Sequence, residues 1–314
     1  MRPMISILMP SYNHERFIAI AIESALKQKT KYSFELLIND DNSTDETAKI
    51  AETYSQRYPN IIRFFKQNKN QGLMKSYKFL LNNAKGEYIA ILESDDYWID
   101  EEKLEKQIGF LKNNPEFGLS VSDVKLVNEN NDEIEVVKRT EDIGLNGNWY
   151  EQLLFSNFVR GGVSICFRKA IYDSYVDIDD YINNNFVTFD YPLLLTLAAH
   201  SKCNYIHKAL SAYRILPTSL SNNAIYEKVI AFEKGILAIQ RYIMQNNQNI
   251  TLRCYSITEI LNYRYNILCG KAYKHHKIFD FCRYARNIKP ITFKTFILRF
   301  FPALWYIQHS IRFK

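Results

Sequence analysis

The amino-acid sequence predicts an α/β protein with a mostly parallel central sheet and a helical C-terminal extension. Strand-length apolar runs at residues 4–9, 34–38, 61–65 and 89–92 alternate with stretches of helical length and spacing, the pattern of successive βαβ units. Two of these runs stop at clustered acids, Asp40 and Asp41 after the second and Glu93, Asp95 and Asp96 after the fourth. The crevice outside the carboxyl ends of the strands is where open α/β sheets bind ligands. From residue 222 onward the texture changes to long helical stretches.

Each element has a local reason. The first strand ends in Pro10-Ser11-Tyr12-Asn13, and Asn13 is read as the cap of a helix whose apolar face is Phe17, Ile18, Ala21, Ile22, Ala25 and Leu26. The second strand is closed by a polar run in which Ser43 and Glu46 have the spacing of a capping box, opening a helix to about residue 58. The third strand precedes the polar loop 66–72 and a helix to about 84. A helix over 101–113, a strand near 118–124 and an acidic loop or exposed hairpin over 128–142 follow. Residues 160–168, with Gly161 and Gly162, read as a further strand, the glycines being equally consistent with a bulge or turn. Phe189-Asp190-Tyr191-Pro192 introduces an apolar helix, and an acid at such a start is favoured electrostatically. Two long helices, 224–244 and 250–273, come next. Over 291–314, Phe293, Ile297, Phe300, Leu304, Ile307 and Ile311 share one helical face that Pro302 must kink.

Composition narrows the function classes. With 47% hydrophobic and 24% charged residues the chain is that of a folded protein. The five cysteines are scattered with no CxxC pair, so they read as reduced thiols and not as a disulfide framework or zinc site. No signal-peptide core or bilayer-length apolar run is found, and a cytoplasmic location is expected. The net charge of +6 is unevenly placed: residues 264–314 hold eleven Lys and Arg against Asp280 alone, a net +10, which leaves −4 for residues 1–263. A basic, aromatic segment of this kind suits an anionic surface.

The turn after the first strand has no glycine, whereas both the GxGxxG fingerprint and the P-loop need glycines to let backbone N–H groups approach phosphate. NAD enzymes and P-loop NTPases are therefore poor candidates. Carboxylates as crowded as Glu93, Asp95 and Asp96 repel one another unless a cation neutralises them. A hard divalent ion shared with a substrate diphosphate is the simplest resolution. A solvated acidic turn is the alternative reading.

Taken together, residues 6–13 (SILMPSYN), residues 35–45 (ELLINDDNSTD), Asn70-Gln71-Gly72 and Glu93-Ser94-Asp95-Asp96 resemble the inverting family 2 glycosyltransferases of the GT-A fold, of the bacterial surface-polysaccharide type. The resemblance implies a nucleotide-diphosphate sugar donor, with UDP favoured, and a divalent cofactor, Mg2+ or Mn2+. By it, Pro10, Ser11 and Tyr12 line the nucleotide pocket and Asp41 accepts the base N–H. Gly72, Glu93, Ser94 and Asp95 complete the nucleotide-sugar site, with Asp95 the metal-facing acid and Asp96 beside it. Glu93 stands where the family more often has Asp. The family's catalytic base falls on Asp190, for which a helix cap is the alternative, and Arg214 and Gly162 are candidates for donor or acceptor contacts.

The implied domains are a catalytic domain over 1–221, with a nucleotide-sugar half (1–100) and an acceptor half (101–221), and a basic helical extension over 222–314. Lys294, Arg299, Trp305 and Arg312 accompany the apolar face of the last segment, as in helices at a membrane interface. This suggests a saccharide or lipid-linked saccharide acceptor and peripheral attachment to the inner face of the cytoplasmic membrane, in cell-surface polysaccharide or lipopolysaccharide assembly. Packing onto the chain's own domain or a second subunit of a homo-oligomer is the alternative. No recognised nucleic-acid motif accompanies the basic tail. Two rivals share the acidic sheet edge: a sugar-nucleotide nucleotidyltransferase, whose Gly-rich basic N-terminal loop is missing here, and a catalytically silent sugar-nucleotide binding subunit.

Overall fold

The computed structural model describes residues 3–137, 147–216 and 225–289, together with 298, 299, 302, 303 and 306. The chain forms two compact units, Met1–Tyr150 with Phe158–Ile215, and Glu151–Asn157 with Leu216–Lys314. The expected boundary at 221 therefore overlooks residues 151–157, which join the helical unit.

The first unit begins with β1 (Ile5–Ser11), α1 (Ile18–Leu26), β2 (Phe34–Asp40), α2 (Thr47–Arg57), β3 (Ile62–Lys66), α3 (Leu73–Asn83) and β4 (Tyr88–Ile91) in strict alternation. It continues through β5 (Tyr97–Trp98), α4 (Lys103–Asn113), β6 (Phe117–Val127), β7 (Glu133–Val137) and α5 (Tyr150–Phe155), the last of which belongs to the second unit from Glu151 on. A short 3-10 turn (Gly162–Ser164), β8 (Cys166–Arg168), α6 (Lys169–Tyr175), α7 (Ile178–Asn183), α8 (Asp190–His200) and β9 (Lys202–Arg214) complete it. The strand order is β3-β2-β1-β4-β8-β6-β9-β5, with β7 hairpinned onto β6. The first four of these strands are parallel; β8 runs antiparallel to both β4 and β6, and β6 and β9 are again parallel. This is a mixed α/β sheet whose first half is parallel.

Every residue of β1 is buried, because helices cover both faces; a strand in that position reads as an unbroken apolar run. Ile18, Ala21, Ile22 and Ala25 of α1 pack with Ile5, Ile7, Met9, Leu36 and Ile38 in the core on one face, as the helical spacing predicts. Two expected caps are absent. The helix α1 is preceded by Phe17 and α2 by Glu46, neither with a side-chain cap. Asn13 and Ser43 instead bond across the two strand-end loops: Asn13 N donates to Ser43 Oγ and Thr44 N donates to Asn13 Oδ1, each at 2.9 Å. The same short polar oxygens that could cap a helix lock the two loops together.

The second unit is helical: α9 (Tyr226–Asn246), α10 (Ile257–Lys274) and α11 (Ile278–Ala285). A capping box stands at Ser256 and Glu259, so α10 starts seven residues later than its apolar pattern suggests. Its core includes Tyr226, Leu237, Leu268, Ala272, Phe281 and Tyr284, joined by Leu298 and Tyr306. The expected amphipathic face of the last segment (Phe293, Ile297, Phe300, Leu304, Ile307, Ile311) and its Lys294, Trp305 and Arg312 lie outside the described residues. Among the described residues no helix is long and apolar enough to cross a membrane.

Candidate active site

The parallel arrangement of β2, β1 and β4 brings their carboxyl ends to one edge of the sheet, so the segments after Ser11, Asp40 and Ile91 share it. Pro10 and Ser11 are buried there, while Tyr12 is 43% exposed and offers an aromatic face at the edge. Ser11 Oγ and Asp40 Oδ1 are buried without a hydrogen-bond partner. Asp41 accepts from Gln71 N (2.9 Å) and Gly72 N (2.7 Å), tying the second strand end to the start of α3. Gly72 holds φ +89° with open space at its Cβ position. Backbone conformation and not crowding therefore calls for glycine.

The acidic turn is built asymmetrically. Asp95 keeps 23% of its side chain exposed, whereas Asp96 is 1% exposed and turned inward, where Oδ1 accepts Arg214 N at 2.7 Å and Oδ2 has no partner. The cause is β5, a two-residue strand not anticipated from the sequence, which pairs Tyr97 with Ala212 and so carries Arg214 to Asp96. Arg214, expected at the diphosphate or acceptor, is 1% exposed. Its Nε donates to Asp95 O, Nη1 to Asn128 O and Nη2 to Asn131 Oδ1, and the guanidinium lies 4.4 Å from the Phe17 ring centroid. It braces the turn from behind. Ser94 is buried and its Oγ lies 2.8 Å from His14 Nδ1, which is also 4.0 Å from Asp95 Oδ1.

Glu93 and Asp190 come from segments about a hundred residues apart. Burial raises the Glu93 carboxyl to about 8, with the charges of Asp95 and Asp190 adding to it. Burial likewise raises Asp190, opposed by hydrogen bonds from the Thr188 hydroxyl and the Tyr191 N–H. Asp190 is the first residue of α8 and Phe189 takes the cap position, so Asp190 is not the helix cap. Tyr77 links the two acids: its hydroxyl donates to Glu93 Oε1 at 2.8 Å, and its ring stacks on Phe189 at 4.0 Å and 16°. Gly162 closes the other side, since a Cβ there would lie 2.9 Å from Ile91 Cγ2 and 3.4 Å from Glu93 Oε2. A side chain there would collide with Ile91 and only touch Glu93.

Tyr77 and His14 were missed by the sequence reading. Tyr77 is one apolar residue among several on α3, and its role appears only when β4 and α8 are in place. His14 directly follows the Pro10-Ser11-Tyr12-Asn13 run, and that adjacency was the available signal.

The donor set suits a hard divalent cation only in part. No cluster of three or more His, Cys, Asp or Glu arranged to hold a metal occurs among the described residues. One partly exposed carboxylate, Asp95, beside a Glu93 raised by burial and then by the neighbouring acids, nevertheless fits the manner in which Mg2+-type ions bind, through one or two carboxylates and the substrate's phosphates.

A doubly covered α/β sheet with acids at its strand ends and a mixed flank is the architecture of nucleotide-sugar transferases of the GT-A fold. The profile of Glycosyl transferase family 2 matches residues 6–175, more than half of the chain, and the chain belongs to that family. Uncharacterized proteins of Mycobacterium tuberculosis are 30% identical over 213 residues, 67% of this chain and 58% of theirs, so the chain spans less than two thirds of these relatives. WfgD of Escherichia coli, a UDP-Glc:alpha-D-GlcNAc-diphosphoundecaprenol beta-1,3-glucosyltransferase, is 42% identical over 116 residues, 36% of this chain and 44% of its own. The fold is shared with S. aureus TarS 1–349 in complex with UDP-GlcNAc (TM-score 0.60, 17% identity, 91% and 81% of the two chains). It is also shared with a Pyrobaculum calidifontis mannosyltransferase in complex with GDP-Man and Mn2+ (TM-score 0.59, 13% identity, 100% and 81%).

Proposed function

We propose that the chain transfers a single sugar from a nucleotide-diphosphate sugar, with UDP favoured, to an acceptor hydroxyl with inversion. The observation that carries this reading is the convergence of Glu93, Asp95 and Asp190 at one edge of the sheet, close enough for each of the other two charges to raise Glu93. Asp190 takes the proton of the acceptor hydroxyl as its oxygen attacks the anomeric carbon. The bond to the diphosphate breaks on the opposite side, so one displacement inverts the centre. Tyr12 and Asp41 receive the base, and Glu93, steadied by Tyr77, receives a ribose or sugar hydroxyl. Asp95 would hold the divalent ion, which supplies charge stabilisation to the departing diphosphate. Asp96 and Arg214 fix the turn that carries Asp95. Binding both substrates in one cleft supplies the orientation term.

The relationship to WfgD, whose acceptor is a diphosphoundecaprenol-linked sugar, supports a lipid-carried saccharide acceptor in surface polysaccharide assembly. The basic C-terminal unit supports work at the cytoplasmic face of a membrane. The test is a screen of UDP- and GDP-sugars for released nucleoside diphosphate, with and without Mn2+, using the wild type and Asp95→Asn. Divalent-dependent release by the wild type that is lost in Asp95→Asn is the expected result. Undiminished turnover in EDTA would sink the metal assignment, and binding of a donor without release or transfer would favour a silent binding subunit.

A further inference from the structure

The turn between α10 and α11 is held in a fixed shape. His276 adopts φ 56°, its N–H donates to Tyr273 O (3.0 Å), and Lys277 N donates to Ala272 O (2.9 Å). These bonds close α10 through a left-handed residue, as at many helix C-termini. The following helix α11 buries Phe281, Tyr284 and Ala285 in the core of its unit. Its second residue, Phe279, points the other way and is 88% exposed, the most of any large hydrophobic residue among those described. Arg283 and Arg286, four and seven positions on, share its face and are exposed, as are Lys274, His276 and Lys277 on the turn. From 271 to 289 there are six Lys and Arg against one acid, Asp280, and Asp280 is already engaged by Tyr226 and Arg283.

A single exposed apolar residue is ordinary on a protein surface. What sets this one apart is its placement beside a hydrogen-bonded turn ringed by cations. A protein partner would need an apolar patch of several hundred Å2 on this side, which one ring does not provide. A bilayer accepts one aromatic wedge at its interface while Lys and Arg meet the headgroup phosphates. We propose that the α10–α11 turn docks reversibly on an anionic lipid surface, with Phe279 entering the headgroup boundary and Lys274, Lys277 and Arg286 facing phosphates. This deepens the reading above by naming the contact that brings the enzyme to a lipid-carried acceptor. It rests on that reading for its purpose and not for its test.

The full chain is sedimented with vesicles of phosphatidylcholine alone and of phosphatidylcholine mixed with phosphatidylglycerol. The wild type is expected to bind only the anionic vesicles and to be released at 1 M salt, where the Debye length falls to about 3 Å. Phe279→Ser should lower the partition coefficient roughly tenfold, the scale of one buried aromatic. Lys274→Gln and Arg286→Gln should each lower it about fivefold. All three positions are exposed, so thermal melts should coincide with the wild type. No binding by the wild type, or undiminished binding by Phe279→Ser, would overturn the proposal. So would binding to single-stranded RNA in preference to the vesicles, lost in Phe279→Ser, which would assign the face to nucleic acid. Nucleoside diphosphate release without vesicles is read in parallel. It should be unchanged in Phe279→Ser, and its absence in the wild type would count against the transferase reading alone.

Discussion

The Tyr77 hydroxyl donates to Glu93 Oε1 at 2.8 Å while the same ring stacks on Phe189, the residue before Asp190. One side chain of α3 thus sets the end of β4 and the start of α8 at once. Tyr77→Phe keeps the stack and removes the hydrogen bond. The fold should survive at a cost of about 1 kcal/mol, and transfer should fall roughly tenfold as Glu93 loses its orientation. Kinetics and a thermal melt of the same preparation check this; a melt lowered by more than 10 °C with normal turnover would make Tyr77 a packing residue only.

Glu93 gives a pH dependence of stability. Its carboxyl is raised from 4.5 to about 8 in the folded state by burial and by Asp95 and Asp190, so between those values the folded protein binds more protons than the unfolded chain. Stability from this group is present below pH 4.5 and is lost as pH rises toward 8. In metal-free protein, Glu93→Gln should therefore raise stability by about 1–3 kcal/mol at pH 8 and little at pH 4.5, while lowering transfer. Urea unfolding at the two pH values measures it, and an equal effect at both would refute the assignment.

How much of this was readable in advance depends on the range of the interaction. The parallel half was legible because each strand and helix carries its own period, and the position of Asp41, Glu93 and Asp95 at the sheet edge was legible because strand ends mark it. Asn13 and Ser43 misled because a capping residue and a loop-to-loop bond use the same oxygen; only the partner's position distinguishes them. Arg214 was expected at the donor or acceptor from the family resemblance alone; β5, two residues long and without a periodic signal, draws it into the interior. The helix α11 was hidden by the basic, aromatic composition around it.

The buried position of Arg214 distinguishes bracing from substrate contact. Arg214→Lys keeps the charge but cannot serve Asp95 O, Asn128 O and Asn131 Oδ1 together. The loss should be about 1–3 kcal/mol of stability, with donor affinity in the folded fraction falling less than tenfold. Isothermal titration with UDP beside a melt tests this. Unchanged stability with abolished nucleotide binding would return Arg214 to the diphosphate.

Asp190 is decided by comparing two neighbours. It begins α8 without capping it, and accepts from Thr188 and from Tyr191 N. Asp190→Asn should leave the melt within a few degrees of wild type and donor binding intact, while transfer drops by about 10² to 10⁴, the usual contribution of a positioned base. Burial raises the Asp190 pKa and the Thr188 hydroxyl opposes it, so a base that must be ionised has an acid limb of transfer above the ordinary Asp value of 3.8. Removing the hydroxyl in Thr188→Val should shift that limb to higher pH, since the charged form loses a donor. A limb that stays in place in Thr188→Val, together with normal transfer by Asp190→Asn, would mean that the acceptor proton leaves through another group.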